Sequence, residues 1–279
     1  MPKRRRVYVG GTRAITGAVR TWSRRVILAS ALTAPLWQAA VAAPPPISVP
    51  VDLSSFAPPG SAGGNFIQSL GRTNYLLGDM GGLRTLLNKY GISLALQETS
   101  EGMGNVTGGA QRGAAYEGLT QAVLQMDTYR AFGLYGGLLN ISGLNYHGSN
   151  FSQTNLLTLQ TASGIEADHA TRLWELWYQQ KFLDEDRLDI KVGQQSLDQE
   201  FMVNQNGLYL MNTMFGWPML PSADLPGGGP AYPLSGLGVR ARWRPVDSIQ
   251  ILAGVFTGSP SPKNGGDAQL QNPYGTRFP

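Results

Sequence analysis

The sequence predicts an all-β protein: a transmembrane, antiparallel, up-and-down β-barrel with a short N-terminal helix. Three observations support this prediction: seven segments with a hydrophobic period of two, connections that alternate between short and long, and a basic leader followed by an apolar run. The chain has 279 residues with 36 Gly and 18 Pro, a composition that favours turns and strands over a helical bundle.

Residues 1–43 have the three parts of a signal peptide. After a basic start comes the apolar run VILASALTAPLWQAAVAA from Val26, and small residues at Ala40, Ala42 and Ala43 precede a run of prolines. We expect export through a cleaved signal peptide. The apolar run is also about as long as a short membrane helix, so an uncleaved anchor is the alternative.

The positive charge of the chain is concentrated in that leader. Eight of the 22 Lys and Arg residues lie there and no acid does, so the rest of the chain has 14 bases against 18 acids. We therefore expect no nucleic-acid partner. The chain has no Cys and only two His, so we expect no metal site, and nothing in it calls for a cofactor.

Residues 44–64 are rich in Pro and Gly, which predicts a linker. Residues 65–91 are predicted to be a short helical segment, because leucines and a tyrosine recur there at helical spacing. Asp79 precedes that pattern as a cap and Gly91 follows it as a stop. Packing against the core is sufficient to explain this helix.

From residue 92 to residue 279 we expect a partial barrel. Each predicted strand is near the nine to eleven residues with which a tilted strand crosses a bilayer. The seven segments are 92–100, 117–128, 134–145, 171–182, 187–195, 237–244 and 249–257.

The connections between these segments alternate in length. Three are short and contain YRAFG, LDED and PVDS, and the others run through 101–116, 146–170 and 196–236. A soluble sandwich does not require this alternation, whereas an outer-membrane barrel has short periplasmic turns and long outward loops.

Each segment has an apolar and a polar side. Leu188 and Ile190 lie opposite Asp189, and Trp243 lies opposite Arg240. A charged row must meet water, which leaves two arrangements open: the outside of a soluble sheet, or the inside of a water-filled barrel with lipid on the apolar side. On segment 171–182 the apolar side has aromatic rings at both ends, as interfacial girdles do, which favours the barrel. These rings are Trp174, Tyr178 and Phe182.

Five blocks of the sequence are informative together. They are GDMGGLRTLLNKYGI, ISGLNYHGSN, TRLWELWYQQKFLDEDRLDIKVGQQSLDQEF, MNTMFGWPMLPSADLP and GPAYPLSGLGVRARWRP. In order and at similar spacing, these blocks resemble the OprB-type family of carbohydrate-selective porins. In the first block Met80 replaces a usual Trp.

The resemblance implies a 16-stranded outer-membrane barrel that passes glucose-like sugars by passive diffusion. It implies no enzyme activity. The partners would be small sugars in the pore and outer-membrane lipid, and association into a homo-oligomer stays open. Closed bacterial barrels have an even number of strands, so the seven predicted strands lead us to expect a truncated, N-terminal portion of such a porin.

The polar sides of three segments supply the candidate pore lining. Trp177 is an aromatic residue on a polar side and is the first candidate for a sugar platform, with packing against a loop as the alternative. The arginines could line one wall, or could only balance the acids. The candidates are Glu175, Trp177, Gln179, Lys181, Asp189, Arg240, Arg242 and Arg244.

The long connection FGWPMLPSADLPGGGPAYP, residues 215–233, has two interpretations. Trp217 and Tyr232 could fold into the pore mouth as a constriction. The content of Pro and Gly also fits a surface loop without a ligand, which we favour.

Two other functions stay open at this point. A secreted, soluble β-sheet protein could bind carbohydrate with its hairpins packed as a sandwich, or the barrel could be a structural one without conductance.

Overall fold

The strands of this protein form one antiparallel sheet. A computed structural model describes residues 78–203, 210–212, 217–263 and 266–279, and the backbone of 27–33. From β2 onward each strand pairs with the next along the chain, in the order β1-β8-β7-β6-β5-β4-β3-β2. The strands are β1 Ile27–Thr33, β2 Ile92–Asn105, β3 Gly113–Asp127, β4 Gly137–Gly148, β5 Ala170–Phe182, β6 Leu188–Gln195, β7 Gly236–Val246 and β8 Ile249–Phe256.

The helices of the described residues are short. They are α1 Leu83–Lys89, α2 Thr128–Phe132, α3 Met219–Ala223 and α4 Ala268–Gln271. Single turns of tighter or wider helix occur at Met80–Gly82, Ser152–Leu156, Asp184–Asp186, Leu197–Gln199 and Pro226–Gly228. None of the helices in this part of the chain is long and apolar enough to cross a membrane.

Helix α1 ends before Gly91, as its sequence predicts, but its N-cap is Gly82 rather than Asp79. The Thr85 backbone N–H donates to Asp79 Oδ1 at 2.9 Å. At the other end Gly91 has a φ of 71°, and an added Cβ there would lie 2.8 Å from the Asp127 carbonyl oxygen. Only glycine fits that position without strain. The helical turn is thereby held next to the end of β3.

All seven predicted strands are confirmed, and β1 adds an eighth in the region assigned to the leader. Ile27 lies opposite Phe256 in this pairing. The other leader residues, the linker 44–64 and residues 65–77 lie outside the described residues. Cleavage of the signal peptide therefore stays a prediction.

The register gives the sheet two different faces. The apolar face carries the aligned residues Val192, Val239 and Val255 of β6 to β8, and Leu176 of β5 on the same side, all substantially exposed. The polar face carries the candidate pore lining. This division is what period-two alternation predicts.

One end of the apolar face, next to the β2–β3 connection, is polar. We call the residues Glu98, Ser100, Tyr116 and His147 at this end the polar belt. Glu98 forms an ion pair with His147 at 3.1 Å, and Ser100 hydrogen-bonds Tyr116 at 3.0 Å. Apolar side chains resume along the same face at Leu96 of β2.

A β-bulge changes the side on which Trp174 lies. Ser142 pairs with Glu175 and Gly143 pairs with Leu173, so Trp174 has no partner on β4. Trp174 and Glu175 are consequently both buried. The prediction that Trp174 belongs to an aromatic girdle on the apolar face is wrong, because alternation does not continue through the bulge.

The connections alternate less regularly than predicted. One end of the sheet has the short connections 128–136, 183–187 and 247–248, as expected. At the other end 149–169 and 196–235 are long, but β2 and β3 extend to a connection of residues 106–112. The prediction of a long loop over 101–116 is wrong, because small and polar residues there continue both strands.

Candidate functional site

The structure places the predicted lining residues on one face of β5, β6 and β7. Asp189 lies opposite both Lys181 and Arg242, and Lys191 lies opposite Gln179 and Arg240. Directly opposed side chains are about 5 Å apart at Cβ, close enough for ion pairs. We call the charged residues at the centre of this face the ion cluster. They are Glu175, Asp189, Lys191, Glu200, Arg240 and Arg242.

Asp189 joins two of the three arginines of β7, Arg240 and Arg242. Its Oδ1 forms an ion pair with Nη1 of Arg240, and its Oδ2 accepts from Nε of Arg242 at 2.6 Å. Asp189 and Arg240 are each only 2% exposed. Burial of unpaired ions is costly, so this carboxylate and its two guanidinium groups depend on one another.

Glu200 is the member of the ion cluster that the sequence analysis missed. Its carboxylate forms ion pairs with Lys191 Nζ and Arg240 Nε, and accepts from Arg240 Nη2 at 2.9 Å. Burial raises the pKa of Glu200, but the two cations lower it more strongly, to about 2. The carboxylate is therefore ionised at neutral pH.

Trp177 lies on the polar face, as predicted, but it is already engaged by other residues of that face. Its Nε1 donates to Glu175 Oε2 at 3.1 Å, and Lys191 Nζ lies 4.7 Å from the ring centroid. The side chain is buried. A sugar could stack on this indole only after Lys191 moves, so its role as a platform stays a prediction.

Lys181 and Arg244 belong to a different group near the short turns. Lys181 Nζ lies 2.9 Å from Asp186 Oδ2, and Arg244 Nη2 donates to the Asp186 carbonyl oxygen at 3.2 Å. The hydrogen bond from Lys181 lowers the pKa of Asp186. These two candidates line the same face as the ion cluster but support the connection between β5 and β6.

The polar face continues onto β3 and β4 with uncharged groups. Within the described residues, the amide of Gln121, Nδ2 of Asn140 and Oγ of Ser142 have no hydrogen-bond partner, although all three side chains are buried. Buried polar atoms without partners are rare in folded proteins unless water or a solute reaches them. These three residues add donors and acceptors for hydroxyl groups that sequence reasoning did not single out.

Nearer the long loops, the same face carries an aromatic cluster. It consists of Leu119, Leu144, Tyr146, Ile165 and Trp174, with Ala167 and Tyr232 packed against it.

Tyr232 covers this cluster from the 196–235 connection. Its ring meets those of Tyr146 and Trp174 edge to face, with centroids 5.7 Å and 6.1 Å away, and its hydroxyl donates to the Ile165 carbonyl oxygen at 3.0 Å. The interpretation of 215–233 as a surface loop is therefore wrong at its C-terminal end. Trp217, the other predicted mouth residue, donates from Nε1 to Ser222 Oγ at 2.8 Å and packs against a second apolar cluster.

The comparisons with known proteins agree with this architecture. The family model for carbohydrate-selective porins of the OprB family matches residues 111–278. This chain belongs to the OprB family. Comparison with curated protein sequences gave no match.

Two solved structures of Pseudomonas putida OprB are similar to this OprB-family chain. The high-pH structure is 21% identical with a TM-score of 0.58, over 67% of this chain and 45% of that one. The low-pH structure is 19% identical with a TM-score of 0.42, over 65% and 50% of the two chains. The first similarity shows that the two proteins share a fold. The family is one of channels rather than of enzymes.

Proposed function

We propose that this chain forms part of the wall of an outer-membrane pore through which uncharged, glucose-sized carbohydrates diffuse passively. The observation that supports the proposal best is the two-faced sheet, which carries exposed aliphatic side chains on one face and an ion cluster on the other. Because the chain spans less than half of the length of its structural relative, pore closure requires strands beyond the described ones.

The apolar face supports contact with lipid. Its strands belong to one sheet, with no second sheet among the described residues to cover the exposed aliphatic side chains. A soluble sandwich would pack two sheets face to face, so the single sheet favours the membrane interpretation. Exposed rings at the short-turn end suit a membrane interface. These rings include Tyr129, Phe132, Tyr135 and Phe182.

The polar face supports passage of uncharged solutes. Within the ion cluster, Asp189 and Glu200 are paired with Lys191, Arg240 and Arg242, which weakens the attraction of these charges for a passing ion. The unpartnered amide of Gln121, Nδ2 of Asn140 and hydroxyl of Ser142 offer several weak contacts to a sugar. Weak and multiple contacts let a solute enter and leave, as passive diffusion requires.

Cell fractionation and liposome swelling test this function directly. We expect the exported chain to sediment with outer membranes and to need detergent for extraction. We also expect that joining it to the remaining strands of such a barrel gives liposomes a glucose permeability above that of empty vesicles. Larger oligosaccharides should enter more slowly. A soluble periplasmic product would contradict the membrane location, and membrane insertion without sugar entry would favour a structural barrel.

A further inference from the structure

The chain turns back over the polar face after β6. We call residues Ser196–Phe201 the inward segment. Ser196 N donates to Glu175 Oε1 at 3.0 Å at the end of β6. Phe201 packs against Leu252 and Phe256 of β8, with its ring 6.1 Å from that of Phe256. The segment therefore crosses the polar face of β7, which lies between β6 and β8.

Glu200 meets the ion cluster from this segment. The strands alone contribute two acids, Glu175 and Asp189, and three cations, and Glu200 is the third acid. Its carboxylate contacts Lys191 and Arg240, the two cations nearest the path of the segment. With Glu200 in place the cluster contains equal numbers of acids and bases.

We propose that Glu200 is a specificity-determining residue, which balances the charge of Lys191 and Arg240 so that the pore wall does not favour anions over cations. This inference rests on the proposed pore function, because charge balance matters for solutes that pass along this face. The effect of Glu200 on the local charge of the polar face can, however, be measured even in a chain that does not conduct.

Two sets of contacts hold the inward segment, and only one involves the carboxylate. Leu197 and Phe201 are buried with Leu252 and Phe256, and Leu197 N donates to the Pro230 carbonyl oxygen at 2.7 Å. Replacement of Glu200 by Gln keeps the shape of the side chain and leaves these contacts intact. The substitution therefore changes the charge of the wall while the segment stays packed.

The test uses a single reporter cysteine, since the chain contains no natural one. Lys181→Cys is suitable, because Lys181 is on the polar face of β5, partly exposed and next to the ion cluster. The detergent-solubilised full chain is labelled with an anionic and a cationic methanethiosulfonate of similar size. We expect Glu200→Gln to raise the anionic-to-cationic rate ratio about threefold to fivefold at low ionic strength.

Two further variants separate charge from structure. Lys191→Gln together with Glu200→Gln restores the balance and should return the ratio to the value measured with Glu200 present. The matched control is Glu98→Gln, on the opposite face in the polar belt, which should leave the ratio unchanged. An unchanged ratio in Glu200→Gln, or the same increase in the double variant, would overturn the proposal. Absence of sugar flux with a raised ratio would count against the pore function alone.

Discussion

The ion cluster and the aromatic cluster lie on the same face of one sheet but are built in opposite ways. In the aromatic cluster, Trp174 and Tyr146 are buried and are covered by the ring of Tyr232. In the ion cluster, Lys191 and Arg240 are covered by the carboxylate of Glu200. Both covering residues come from the connection 196–235.

This difference shows that strand alternation does not decide alone which part of a polar face meets solute. The side chain that covers the face also determines what a solute meets. An aromatic ring covers the residues below it with an apolar surface, whereas a carboxylate covers them with a charged one. In the proposed pore, solutes would accordingly pass the ion cluster and the free groups of β3 and β4 rather than the aromatic cluster.

The largest effect is expected from removal of the central ring of the aromatic cluster. Trp174→Ala should lower the free energy of unfolding by about 4 kcal/mol, because it leaves a cavity beneath Tyr232. Chemical denaturation in detergent would measure this change. The matched control is Trp243→Ala, on the exposed apolar face, which should cost less than about 1 kcal/mol. Equal losses would mean that the aromatic cluster is not a packed core.

The next largest loss of stability is expected from removal of the Asp189 carboxylate, which joins Arg240 and Arg242. Asp189→Asn leaves Arg240 buried beside one fewer anion, and should cost about 3 kcal/mol of unfolding free energy. The same denaturation measurement applies. Asp184→Asn, in the exposed turn between β5 and β6, serves as the control and should be almost neutral. A neutral Asp189→Asn would indicate that water already screens the ion cluster.

Local pattern predicts most of this fold. Alternation located the seven strands because each strand of a two-faced sheet carries the signal within a few residues. The shared polar face of the candidate lining residues of β5 to β7 was predicted for the same reason. The face of Trp174 was not predictable, because a bulge depends on pairing with β4 rather than on the residues of β5 alone.

Long-range packing explains the other misses. Glu200 and Tyr232 follow no strand period, and each reaches its cluster through a loop whose path depends on distant strands. The sequence contained one signal for Glu200. An acidic residue and a phenylalanine, Phe201, follow each other shortly after a strand, and this pair suits a sheet face on which cations lie beside apolar side chains. The same reasoning could not have chosen between a constriction and a surface loop.

The pH dependence of stability tests the electrostatic side of the comparison. The pKa of Glu200 is lowered from 4.5 to about 2 by Lys191 and Arg240, against the effect of burial. Its stabilising contribution is thus fully present above pH 4.5 and is lost as the pH falls towards 2. The difference in unfolding free energy between the natural chain and Glu200→Gln should shrink by about 2 kcal/mol from pH 7 to pH 3. A constant difference would exclude this coupling.

The smallest change in stability is expected on the apolar face. There we expect contact with lipid to end at the polar belt. Leu96 and Ser100 lie on the same side of β2, roughly 13 Å apart along the strand. Spin labels at single cysteines in these positions should leave stability unchanged within about 0.5 kcal/mol. In reconstituted membranes the label at residue 96 should be more accessible to oxygen, and the label at residue 100 to a water-soluble nickel chelate.

The reason for this difference is the polarity of the belt. Ser100 hydrogen-bonds Tyr116 beside the Glu98–His147 ion pair, and such polar groups favour contact with water over contact with lipid. Preferential oxygen access at both positions would place the belt inside the membrane, and nickel access at both would remove lipid from this part of the face.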